Sequence, residues 1–201
     1  MKKIGKIAMI CICLAAALWF AMLISDRLTL SNDIIRLHVV GASDSEEDQQ
    51  VKLQVRDAVL SVLETQQVEN VQQAKASLEN LFPQLEQAAN KALQEAGMSY
   101  EAKVSLTREA FPAREYDTFS LPAGVYESLR VTIGEGEGKN WWCVVFPSLC
   151  LPATSAEFED TSVGAGFSDT LTDTLQQEQG YELRFFFLDC LGWLQNLFHR
   201  G

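Results

Sequence analysis

Any chemistry in this chain has to come from a short list of side chains. There are two histidines, His38 and His199, and five cysteines, Cys11, Cys13, Cys143, Cys150 and Cys190. Neither histidine stands in a zinc-ligand spacing with Cys or carboxylates. No Gly-x-Ser-x-Gly elbow and no activating neighbour accompanies any Ser or Cys, so nothing supports nucleophilic catalysis with His38 as base. Asp44, Glu46, Glu47 and Asp48 cluster. They lack the central glycine and the distant bidentate Glu of a calcium loop. Gly134, Gly136 and Gly138 alternate with Glu135 and Glu137. A phosphate cradle would need a following Lys-Ser/Thr pair and a helix N-terminus, whereas Lys139-Asn140 leads into a strand pattern. The sequence therefore predicts no catalytic residues, no metal and no cofactor, and a hairpin turn at the glycines.

Cys143 and Cys150 are the most informative pair, separated by Val-Val-Phe-Pro-Ser-Leu. In an oxidising compartment a strand turning at Pro147 brings them together, and a disulfide closing so short a loop contributes ~2–3 kcal/mol. Two reduced, buried thiols are the alternative. There is no Cys-x-x-Cys redox motif. Trp141 and Trp142 are adjacent in a strand pattern, so their side chains point to opposite faces. One enters the core; the other either anchors a partner or is covered by another element.

The elements that position these residues follow from periodicity. Ile35, Leu37 and Val39 alternate with Arg36, His38 and Val40, a strand over 34–40. Ser43 to Glu46 fits a capping box, with the acidic cluster in a first helical turn that the macrodipole favours. Val51, Val55, Ala58, Val59, Val62 and Leu63 then step by three and four, an amphipathic helix. Ala74, Leu78, Leu81, Leu85, Ala88, Ala89 and Ala92 repeat the step, with Pro83 predicting a kink or two shorter helices and Gly97 an end. Strands follow at 100–107, 125–133 and 141–146. Grouped helices and strands predict an α+β fold: a mostly antiparallel sheet of about four strands with two or three helices packed on one face.

The two ends differ from this middle. Residues 7–24 hold no charge and follow Lys2, Lys3 and Lys6. As a helix they span ~27 Å, close to the ~30 Å hydrocarbon core, and the lysines direct the rest of the chain outward. Residues 1–25 are thus a signal peptide, cut at Ala15-Ala16-Ala17, or a retained signal anchor. Net charge is −11 overall. The remainder carries 13 basic against 27 acidic residues, net −14, which disfavours nucleic acid as a partner. The exported domain is expected over 33–152. Residues 153–180, rich in Thr, Ser, Asp and Gly, read as a flexible linker. A C-terminal amphipathic helix is expected over 181–199, with Leu183, Phe187, Cys190, Leu191, Leu194 and Phe198 on one face. It docks on the domain, lies on a membrane or meets a partner.

Two stretches carry a family resemblance. Ile35-Arg36-Leu37-His38-Val39-Val40-Gly41-Ala42-Ser43-Asp44, continuing to Val59, resembles the opening of the stage II sporulation protein R family. Leu121-Pro122-Ala123-Gly124-Val125-Tyr126-Glu127, together with the run from Gly138 through Asn140-Trp141-Trp142-Cys143 to Cys150, resembles its second signature. The resemblance implies a protein made in the forespore and exported into the space between forespore and mother cell. It would there trigger a membrane-embedded aspartic peptidase that processes pro-sigma-E. On this reading the chain is a non-enzymatic signal whose contact residues are Trp141, Trp142 and Arg36. The rivals are an exported hydrolase or thiol-disulfide enzyme, and a membrane-anchored binding module without a signalling role.

Overall fold

Ile35–Val40 (β1) is the strand around which the sheet assembles, and all six of its residues are buried. The structure, a computed structural model, describes residues 2–65, 70–116, 118–147, 162, 167–176 and 183–199. β1 is flanked by Gly124–Ile133 (β5) and Asn140–Phe146 (β6), and Ala102–Phe111 (β2) pairs with the far side of β5. A two-residue pair, Arg114–Glu115 (β3) with Ser120–Leu121 (β4), straps the connection from β2 to β5. The α+β class holds, but the sheet is mixed. β1 runs parallel to β5, with Leu37 opposite Leu129, and antiparallel to β6, with Leu37 opposite Cys143. Alternation fixes which residues share a face and carries no information on pairing direction, so the sequence could not distinguish these cases.

One face is closed by Glu46–Leu63 (α2) and Val71–Glu95 (α3), whose Val51, Val55, Val59, Leu78 and Leu85 pack with Leu37, Val39, Leu129 and Val131. Helix α2 starts later than the capping box suggested. Ser45 is its N-cap, accepting from the Asp48 amide, and Ser43 braces the cap by accepting from the Ser45 amide at 3.1 Å. Helix α3 is one helix with Pro83 inside it, not two. Leu78 and Leu85 on either side of the proline are both buried, and burying this continuous stripe outweighs the ~3 kcal/mol that an internal proline costs. Gly97, at φ +77°, ends α3: the Met98 amide donates to Leu93 O and the Gly97 amide to Gln94 O.

The other face is also covered. Lys2–Asp33 (α1) is a single helix that continues past the apolar stretch to within two residues of β1. Its first two-thirds is exposed and is long and apolar enough to cross a membrane. Leu23, Asp26, Arg27, Leu30 and Ser31, spaced by three and four, are buried against the sheet. Within the stretch expected as a linker, Asp169–Gln176 (α4) is helical, and Leu171 and Leu175 are buried beside Phe119 and Leu121; the rest of that stretch lies outside the described residues, Ser162 and Phe167-Ser168 excepted. Leu183–His199 (α5) crosses the same face. Asp189 accepts from the Ala123 amide at 2.7 Å, the Asn196 amide donates to Phe111 O at 2.9 Å, and Gly192 lies against the Ala123 carbonyl.

That last contact gives a direct test of α5 docking. A Cβ at position 192 would sit 1.5 Å from Ala123 O. Gly192→Ala should therefore lower unfolding stability of the full chain in detergent by ~1–3 kcal/mol through overpacking. Gly5→Ala, with nothing within 4 Å of the added carbon, should cause no loss. Equal urea midpoints for both variants would mean that α5 is not seated on the sheet in this way.

Candidate functional site

The residues singled out by the sequence gather at β6 and the turns beside it. β6 is the last strand in the order, and no described strand pairs with its outer edge. The glycine stretch does not make the expected hairpin: β1 lies between β5 and β6, so these two strands do not pair, and the turn that joins them spans the end of β1 and closes onto the loop between β1 and α2. The Gly138 amide donates to Gly41 O at 2.9 Å and the Lys139 amide to Asp44 Oδ1 at 2.7 Å. Lys52 of α2 is buried beneath them, its Nζ donating to Gln49 Oε1 and Lys139 O. Desolvation lowers its pKa, opposed by the charge of Asp44. The two stretches that carry the family resemblance are thus one structural unit. At its rim the Tyr100 hydroxyl donates to Asp48; burial and this bond push the tyrosine up to about 12.

Trp141 and Trp142 diverge as strand geometry requires, and both are half-buried. Trp141 packs toward the α2–α3 side with the Arg56 guanidinium 5.0 Å from its ring centroid. Trp142 lies on the other side, with Arg114 from β3 at 4.2 Å. Each indole is therefore partly open and capped by a cation, an arrangement that stabilises the ring position while leaving surface for a partner. Arg114 carries no signal in the sequence, because β3 is only two residues long and too short for periodicity to mark. Arg56 was within the resembling stretch, one turn beyond Lys52, and was not separable from an ordinary exposed helix residue.

Arg36 is a correction. It was expected at the contact surface, yet it is fully buried. β1 is an interior strand, and its second face is roofed by the β3–β4 strap and by the aromatic residues of β2 and β5. The guanidinium sits 4.2 Å from the Phe111 centroid and 5.2 Å from that of Tyr126, and Nη2 donates to the Tyr116 hydroxyl at 2.8 Å. Its Nε and Nη1 are buried without a hydrogen-bond partner among the described residues. Such a group is costly to bury and serves the interior, not an outer surface.

His38, the one histidine in the domain's sheet, has both ring nitrogens engaged. Nδ1–H donates to Glu109 Oε2 at 3.0 Å, and Nε2 meets the Asn140 side-chain amide at 2.9 Å. Arg130 also donates to Glu109. Burial alone would raise the Glu109 pKa, but the hydrogen bonds from His38 and Arg130 and the charge of His38 outweigh it and hold the carboxyl at about 2. The side-chain hydrogen bonds of His38 go to Glu109 and Asn140 and not to a described serine or cysteine, and no group of three His, Cys, Asp or Glu residues among those described could hold a metal. His199 lies elsewhere, against Arg108 O at 3.0 Å. Cys143 is buried and disulfide-bonded, while Cys11, Cys13 and Cys190 are free. Cys150, its expected partner, lies outside the described residues.

Comparison with known proteins places these features in a family. The model of the family described as stage II sporulation protein R matches residues 31–156. The chain is 28% identical over 194 residues to stage II sporulation protein R of Bacillus subtilis (strain 168), covering 87% of this chain and 85% of that protein. No solved structure matches.

Two measurements test this site. Glu109 is held near 2 in the folded chain against an ordinary value of 4.5. Its stabilising contribution is therefore complete above pH ~4.5 and disappears as pH falls from there toward 2. Urea midpoints between pH 6 and pH 3 should fall less steeply in Glu109→Gln than in the parent chain; parallel slopes would remove Glu109 from the acid response. For the cysteines, we propose the Cys143–Cys150 pairing. Non-reducing peptide mapping should recover one cross-linked fragment containing both, and Cys143 found attached to any other cysteine would overturn the pairing.

Proposed function

We propose, since the chain belongs to the stage II sporulation protein R family, that it is an exported, non-enzymatic signal of sporulation. It is made in the forespore, crosses the forespore membrane, and acts in the intermembrane space. There it activates a membrane-embedded aspartic peptidase that removes the pro-sequence of sigma-E in the mother cell. The observation that carries this reading is the pair of half-open tryptophans, Trp141 and Trp142, on an edge strand built from the stretches that hold the family resemblance. A ligand of this kind works only by binding the active state of the peptidase better than the resting one. Partly exposed tryptophans beside arginines are the side chains that concentrate such binding energy, and an unpaired strand edge adds backbone donors and acceptors for the same partner.

His38 fits the non-enzymatic reading because both its nitrogens are committed within the fold. Retention of α1 as a signal anchor fits as well. Cleavage at Ala15–Ala17 would leave Leu18 and Phe20 exposed in water, whereas an uncut helix keeps them in lipid and passes directly into the domain. The expected domain start at residue 33 coincides with the last residue of α1.

The test is co-expression, in a non-sporulating host, of this chain with its candidate peptidase and the pro-sigma substrate. Processing should require the exported form and be lost when residues 1–25 are deleted. It should survive His38→Ala, provided the variant remains folded. Trp141→Ala or Trp142→Ala should reduce it by roughly tenfold or more, the loss expected of a central aromatic contact. Processing that proceeds equally without the chain would defeat the signalling role; processing unaffected by either tryptophan would move the contact surface elsewhere.

A further inference from the structure

Helix α5 is built the wrong way round for a helix on the surface of a water-soluble domain. Its charged and amide side chains point inward: Arg184 pairs with Asp26 of α1, Asp189 accepts from the Ala123 amide, Gln195 accepts from Arg27, and Asn196 donates to Phe111 O. Its outward stripe is apolar. Trp193, Leu194, Leu197 and Phe198 are 57%, 45%, 50% and 87% exposed, and Phe186 one to two turns earlier on the same side is 42% exposed. No described residue of this stripe is charged. A contiguous aromatic and leucine face of this kind is far more than the scattered apolar residues of an ordinary surface.

What covers it is indicated by α1. The two helices touch where the apolar stretch of α1 ends: Phe187 meets Trp19 edge-on at 5.2 Å, and Arg184 binds Asp26 just beyond that stretch. Leu191 and Gln195 line a shared cleft with Ile24, Arg27 and Leu28. The start of α5 is therefore fixed at the level at which α1 leaves the hydrocarbon, with its apolar stripe continuous with the exposed apolar surface of α1. Tryptophan favours this boundary layer. We propose that α5 is a membrane seat: its outward face lies in the outer leaflet boundary beside α1 and holds the domain against the bilayer from which it was exported. The inference rests on retention of α1. The contact is apolar, since the domain is strongly acidic and α5 turns its charges inward, so it does not depend on anionic headgroups.

The test uses the full chain with Cys11, Cys13 and Cys190 replaced by alanine, reconstituted into nanodiscs of phosphatidylethanolamine and phosphatidylglycerol. Nitroxide labels are placed singly at Leu14→Cys in α1, Leu194→Cys and Phe198→Cys in α5, and Ser61→Cys on the remote exposed side of α2. All four are exposed positions, and folding is checked by circular dichroism. Oxygen accessibility should exceed that of a water-soluble nickel reagent at 14 and 194, should exceed it by a smaller margin at 198, and should fall below it at 61, with no change on adding salt. A lipid signature at 14 with a water signature at 194 and 198 overturns the seat while leaving the anchor intact. A water signature at 14 overturns both. Shielding at 194 and 198 that appears only when the peptidase is co-reconstituted assigns the face to a protein partner and likewise overturns the seat.

Discussion

The structure depends on the position of β1. All six residues of β1, held between β5 and β6, are buried, so both faces of the sheet at this strand are covered by layers of other elements. The α2–α3 pair supplies one. The other comes from the ends of the chain: the last third of α1 and the inner face of α5 close over Tyr126, Phe111 and Val144. A segment that looks like a leader is thereby drawn into the core. Asp26, Arg27 and Ser31 tie that third of α1 to the domain, through Arg184, Tyr126, Gln195 and the carbonyl of Val125.

The same constraint explains why polar residues sit in the second layer. The alternation of β1 sends Arg36 and His38 to the face opposite Leu37 and Val39. His38 is satisfied by Glu109 and Asn140, and Glu109 by Arg130 as well, giving a closed network near the start of β6. Arg36 is held chiefly by aromatic faces, with one tyrosine hydroxyl. Cation–π contacts offset only part of the desolvation of a guanidinium. Its buried position keeps the β3–β4 strap, with Tyr116 stacked on Phe119, closed over the sheet.

The outer edge of the sheet and the outer face of α5 are two different kinds of surface. β6 offers two partly open indoles under arginines, with unpaired backbone beside them, suited to a protein partner. The α5 stripe is uncharged and continuous with a helix of membrane-spanning character, suited to lipid. On the proposed reading, a domain with both is held at one surface while it presents another.

The amino-acid sequence determined the local order. Period-two alternation placed β1, β2, β5 and β6, three-and-four stepping placed α2 and α3, glycines placed the turn after β5 and the end of α3, and an uncharged run after three lysines placed the apolar helix. These are read from neighbours in the chain, where side-chain period and backbone geometry are directly linked. The tertiary structure decided what depends on contacts far apart in sequence. It set the parallel pairing of β1 with β5, withdrew Arg36 from the surface, gave His38 its partner 71 residues away, and capped Trp142 with Arg114. It also turned the polar side of α5 inward. A sequence pattern reports that a helix has two unlike faces; which of them is buried follows only from the hydrogen bonds and close backbone approach waiting on the sheet it meets.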